Sequence, residues 1–276
     1  MPFDFIPENL DFNVRFEPTK VDDKKYVINA KTDEYIGVVG HTFSCASHDK
    51  FFNGVHDTIT ENLGNTESAD MKTTWRSARK NAWALLDMTL PNVTARIETD
   101  KHSTTIAQRI IALHGIDGSC SNQVFFGAID FFCTNGMIRG EHDKVRRKNS
   151  SLFSMDRFIR DLRESTQSFY AQSERLQSWA RKPLVYTDVR NMLHTLMKSE
   201  RVGDKMLGLY AREAVTRGQN AWALYSAFTN FSSHANDNGF QLRNTGKDTA
   251  AVSMFNREHT VSQWIDSKPF KELLAA

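Results

Sequence analysis

Three apolar runs of strand length follow one another near the middle of the chain, at residues 82–90, 106–113 and 124–133. Each is closed by a turn signal: Pro91-Asn92 after the first, Gly115-Ile116-Asp117-Gly118 after the second and Asn135-Gly136 after the third. Short runs between such breakers pair most simply with their neighbours in sequence, as an antiparallel meander. Beyond Gly140 the period changes: Leu152, Met155, Ile159, Leu162, Thr166, Phe169, Ser173 and Leu176 follow the three-four spacing of one helix stripe, which Pro183 stops. This switch of period restricts the chain to the α+β class, an antiparallel β-meander packed against a long amphipathic helix.

The flanks are read around that centre. Residues 1–24 hold Pro2, Pro7 and Pro18 without clean periodicity and read as an extended N-terminal arm. The β-rich runs 26–30 and 35–39 suggest a hairpin, and Phe51, Phe52, Val55, Ile59 and Leu63 a helix that Gly64 would end, followed by a polar surface loop at 65–70. After Pro183 the chain reads as helices, with stripes at Val189, Met192, Leu193, Leu196 and Met197 and again over 221–231, and breaks at Gly203 and Gly218. A polar, turn-rich stretch at 234–250 precedes a closing helical segment. The expected division is an arm (1–24), an α+β core with the long helix (25–182) and a helical C-terminal region (183–276).

The 276 residues are 40% hydrophobic and 25% charged, ordinary globular values. No run approaches the roughly 20 apolar residues that cross a bilayer, and the first residues are acidic where a signal peptide is basic. Cys45, Cys120 and Cys133 are odd in number and form no CxxC pair, as expected of reduced thiols in a cytoplasmic protein without a membrane partner.

Catalytic motifs are sparse. His41, Cys45, His48 and His56 have spacings a metal could use, yet no second pair of ligands completes a closed site. Asp117, Ser119, Cys120 and Asp130 lie outside any nucleophile elbow, and the glycines sit singly at strand ends instead of opening a phosphate-binding helix. No catalytic residue, metal or cofactor is expected. The charge distribution says more: the formal net charge is only +2, with acidic residues gathered early and basic ones after residue 143. Lys144, Arg146, Arg147 and Lys148 sit where strands give way to helix, and Arg157 and Arg160 continue the charge. Arg76, Arg79 and Lys80 form a second group beside Trp75, a pairing of cation and ring that suits single strands.

The run from Ile110 to Gly140, with Asp117-Gly118 after one strand and Cys133, Asn135 and Gly136 after the next, resembles phage- and plasmid-encoded proteins with domain of unknown function 932 (DUF932). The later run from Arg217 to His234, with Asn220, Trp222 and Tyr225, resembles that family's C-terminal helix. The sequence departs from the family where His114-Gly115-Ile116 replaces its usual Asn-Ser-His. A meander followed by a basic helix is also similar to the core of single-strand annealing recombinases of the RecT, Redβ and Erf kind. That likeness implies a phage-type protein that binds single-stranded DNA and anneals complementary strands as a homo-oligomeric ring or filament, without cofactor. The alternative is a phage accessory protein that binds and modulates a host or replication protein.

Overall fold

The computed structural model describes residues 6–130, 136–138, 144–149, 154–166, 169–235, 238–240 and 247–276. The fold is α+β, with two antiparallel sheets. The smaller sheet has the order β1 (Val14–Pro18), β2 (Lys24–Asn29), β3 (Tyr35–Gly40). Its first strand comes from the segment expected as an extended arm: Glu8–Leu10 forms a short 3-10 turn, and Val14–Pro18 is paired with β2.

The larger, six-stranded sheet runs β4 (Lys72–Ala78), β5 (Trp83–Glu98), β6 (Ser103–Gly115) and β7 (Asn122–Asp130), and β8 (Gly136–Ile138) and β9 (Lys144–Arg147) share the far edge of β7. The meander is longer than its apolar runs. β4 carries the polar sequence KTTWRSA because it is an edge strand with a single neighbour, β5. Pro91-Asn92 does not end β5; the register with β6 slips between Leu90 and Thr94, and that bulge accommodates a proline that has no ladder donor. Asn92 Nδ2 then donates to the carbonyls of Thr66 and Ala69, tying the bulge to the end of α1 (His48–Ser68).

α1 is capped by Ser47, whose side chain accepts from the Lys50 amide. Gly64 breaks its geometry at φ 80°, but helical turns resume as far as Ser68, where a loop was expected. The long helix is found as two, α2 (Met155–Thr166) and α3 (Phe169–Ala180), on either side of residues 167–168, which lie outside the described residues. They serve different neighbours, α2 packing on α1 and β9, α3 on β5 and α6 (Ala221–His234). Among the described side chains of α2, Phe158, one position off the expected stripe, is fully buried, while Ile159 is half-buried.

α4 (Tyr186–Met197) and α5 (Glu200–Arg217) are separated at Lys198, not at Gly203. Gly203 lies inside α5, where a Cβ would collide with the His194 ring of α4, so the glycine serves close packing. Gly218, at φ 85°, does end α5. α7 (Lys247–Asp266) and α8 (Lys268–Ala275) close the chain.

The pleat sorts the large sheet into two faces. Leu86, Met88, Ile110, Ala112, Val124 and Phe126 join α1, α2, α3 and α6 in the main core. The opposite face carries a smaller apolar patch of Trp83, Leu85, Ile111, Leu113 and Phe125, and α7 packs against β4. Two buried ionic clusters fasten the C-terminal helices to the sheet. Arg217 Nη2 lies 2.7 Å from Asp130 Oδ2, its Nη1 3.0 Å from Glu213, and Thr104 donates to the other Asp130 oxygen. Arg109 grips Asp87 through Nε and Nη2 and reaches Glu258 of α7 through Nη1 at 2.9 Å.

Candidate nucleic-acid interface

The β4–β5 connection is held in an uncommon conformation: Arg79, Lys80 and Asn81 all have left-handed φ, at 54°, 54° and 63°. Non-glycine residues persist there only when their surroundings over-determine them. Here the Ala82 amide donates to the Arg79 carbonyl, the Ile116 amide to the Ala82 carbonyl, and Asn9 Nδ2 to Asn81 Oδ1. His48 Nε2 meets the Asn81 carbonyl at 2.9 Å. Arg79 lies 3.5 Å from Asp117, and Lys80 lies 3.0 Å from Glu34 of the β2–β3 turn. The two cations therefore leave the loop in different directions.

The β6–β7 turn lies beside it. Asp117 Oδ1 accepts from the Ser119 amide, an Asx turn, and Gly118 takes φ 76° with Val39 of β3 and Phe43 just beyond that strand beneath it. Cys120 folds back under Gly115, where any Cβ would strike its sulfur. Burial, reinforced by Asp117 and only partly opposed by Arg79 and Arg146, pushes the Cys120 thiol up to about 12, so at neutral pH it is protonated and unsuited to act as a nucleophile.

β9 supplies the third side. Pairing sets Val145 opposite Val124 in the core and Arg146 opposite Gln123 on the other face, where its Nε donates to Ser121 Oγ at 3.3 Å. Asn149 Nδ2 donates to the Gly115 carbonyl and its Oδ1 accepts from Asn122, so the chain after β9 is tied to both ends of the turn. Two adjoining open hollows result. Arg79, Ser119, Cys120, Ser121 and Arg146 line one; Gly118, Cys120, Arg146, Lys148 and Asn149 line the other.

Of the residues singled out in the sequence, Arg79, Arg146 and Lys148 converge on these hollows, and Arg76 stands on the same sheet face farther along β4. Lys80 is turned to the small sheet, and Arg157 and Arg160 are exposed on α2, which packs over the opposite side of the sheet. The side chains of Lys144 and Arg147, and Cys133 and Asn135 altogether, lie outside the described residues. Trp75 does not accompany Arg76: strand alternation sends it into the main core, edge-on to Phe52 with ring centroids 4.8 Å apart. Sequence reasoning missed Ser121 and Asn149, short polar residues whose importance is visible only once the turn and β9 meet. The histidines with metal-like spacing part company too, His48 turning inward to His114 and His56 pairing with Asp57.

The two sequence motifs meet in space, Asp130 at the end of β7 pairing with Arg217 at the start of the second motif. Among the described residues no helix is long and apolar enough to cross a membrane. No curated protein and no solved structure matches the chain. The family described as "Domain of unknown function (DUF932)" matches residues 35–259, from the first residue of β3 into α7 and through both motifs, so the chain belongs to that family.

Proposed function

We propose that this is a phage-type protein of the cytoplasm that binds single-stranded DNA along the turn-side hollows of its larger sheet and promotes pairing of complementary strands as a homo-oligomer. The observation that carries the reading is the convergence of Arg79, from the β4–β5 connection, with Arg146 and Lys148, from β9 and the chain just after it, on open hollows beside which, among the described residues, the carboxylate of Asp117 already faces Arg79. Cations held by a turn and two strand ends neutralise phosphates without contacting base edges, so bound bases stay free to pair. Lys144, Arg147, Arg157 and Arg160 would extend the charged track in an assembled ring or filament.

Four phosphate contacts, with Arg76 included, give a salt slope of about −3 on single strands, or about a fiftyfold loss of affinity between roughly 50 and 200 mM salt. The test is fluorescence-anisotropy binding of a labelled oligonucleotide across that range, with strand annealing read in parallel. Arg146→Glu/Lys148→Glu should abolish retention at the higher salt. Undiminished binding by this variant, or a loss under about fivefold across the salt range, sinks the reading.

One feature favours the alternative of an accessory protein docking on a host or replication protein. Tyr26, Tyr35 and Val38 are exposed together on the small sheet, the two rings 5.9 Å apart. Tyr26→Ser/Tyr35→Ser would then abolish partner capture and leave oligonucleotide binding intact.

A further inference from the structure

The sheet face that bears the hollows has a second concavity nearer its β4 edge. Register sets Lys72 opposite Thr89 and Thr89 opposite Arg109, with Thr74 opposite Asp87 alongside, so the floor is polar where the adjoining patch of Leu85, Ile111 and Phe125 is apolar. α7 lays Glu258 over this floor, and the end of α6 adds Ser233 and His234 to the wall. The cavity holds about 370 Å³, within the range of roughly 300–1,000 Å³ usual for small-ligand sites.

Its charges are unevenly satisfied. Arg109 is shared between Asp87 and Glu258, a trio with one net negative charge when both acids are ionised. Lys72, exposed, and Arg76 line the strand-edge end of the cavity, which makes that end basic and suited to an anionic group. Glu258 is 1% exposed, yet while its Oε1 accepts from Arg109, its Oε2 has no hydrogen-bond partner. A buried carboxylate oxygen left bare is costly, and in a polar cavity a ligand's donor removes the cost. One ligand meeting both needs carries an anionic group together with hydroxyl or amino donors several bonds away.

We propose that this cavity binds a nucleoside monophosphate unit, its phosphate on Lys72 and Arg76 and a sugar or base donor on Glu258 Oε2. The proposal does not depend on the DNA reading: the unit has the same chemistry as a free nucleotide or as the phosphorylated end of a strand. Inorganic phosphate alone would leave most of the volume empty.

The test is titration calorimetry of the full chain with dAMP, deoxyadenosine and inorganic phosphate. Saturable heat is expected with dAMP, at least tenfold tighter than with either fragment. Lys72→Ala, at an exposed position, should weaken dAMP at least fivefold. Glu258→Gln keeps an oxygen for Arg109 but turns an amide donor toward the ligand, and should weaken dAMP at least tenfold; if that variant does not fold, Lys72→Ala with Thr74→Val carries the test. Absence of saturable heat at millimolar dAMP, equal affinity for inorganic phosphate, or an unchanged Lys72→Ala overturns the proposal. Competition by a 5′-phosphorylated oligonucleotide, absent with its unphosphorylated twin, supports the site and identifies a strand end; competition by free nucleotides alone supports it and identifies a small-molecule ligand. Oligonucleotide retention by Arg146→Glu/Lys148→Glu reads the DNA proposal separately, so either can fail alone.

Discussion

Acidification should destabilise the protein through one buried pair. His48 Nε2 faces the Asn81 carbonyl at 2.9 Å and must carry the proton that bonds it, which leaves its Nδ1 as an acceptor. His114 Nδ1, 2.9 Å away, must therefore donate to it, and His114 Nε2 remains a buried lone pair without a partner. Only the doubly neutral pair satisfies this chain, since a further proton on His48 either sets two N–H groups face to face or, with His114 in its other tautomer, buries an Nε2–H that has no acceptor. Burial pulls His48 down to about 4, with the Asn81 carbonyl and Asp117 opposing only in part; burial, then His48, holds His114 well below its ordinary value. Both folded values lie below the unfolded value of about 6.5. The unfolded chain therefore binds more protons in that window, and stability present above pH 6.5 is lost as pH falls toward 4. At about 1.4 kcal/mol per pKa unit, His48 alone accounts for about 3 kcal/mol over the window, roughly 2 kcal/mol of it by pH 5, and His114 acts in the same direction. The assay is urea unfolding at pH 7.5, 6 and 5 with wild type and His114→Phe, which keeps the stack on Phe51, now 4.5 Å between centroids. Wild type should lose at least about 2 kcal/mol between the extremes, and the variant distinctly less. A wild-type loss under about 1 kcal/mol, or an equal slope in the variant, would refute the reasoning.

Other perturbations test the remaining structure. Arg217→Ala strands the buried Asp130 carboxylate and should cost about 3–5 kcal/mol by thermal or urea unfolding, with Arg217→Ala/Asp130→Asn recovering part of it. Lys80→Gly removes the steric penalty of φ 54° at the price of one exposed ion pair, and should raise stability by up to about 1 kcal/mol in the same assay. Gly115→Ala drives a methyl into Cys120 and should cost about 1–3 kcal/mol while also weakening oligonucleotide binding, because the Ser119–Ser121 turn must move.

What could be read in advance depended on whether a signal was local. The meander and C-terminal helices announced themselves because alternation and three-four spacing are properties of neighbouring residues. β4 escaped because an edge strand needs little apolar content, and Pro91 looked like an end because a bulge is defined by the partner strand. Gly203 looked like a helix break because its reason for being glycine, the His194 ring, lies on another helix. The basic residues were all visible, but which of them meet was not. Arg79 and Arg146 are brought together by a turn and a strand register, and Trp75 parts from Arg76 by the pleat alone.

The buried ionic clusters also impose a schedule on synthesis. The sheet residues Arg109 and Asp130 leave the ribosome long before their C-terminal partners, Glu258 following Arg109 by 149 residues and Arg217 following Asp130 by 87. At roughly 5–20 residues per second these gaps last about 7–30 s and 4–17 s. Throughout, the Asp130 carboxylate needs water, so the end of β7 has to stay hydrated until Arg217 arrives to pair with it. A ribosome stalled before residue 217 would hold a sheet whose β4 and β8 still lack α7 and α6, the state in which strand edges are most exposed to wrong partners.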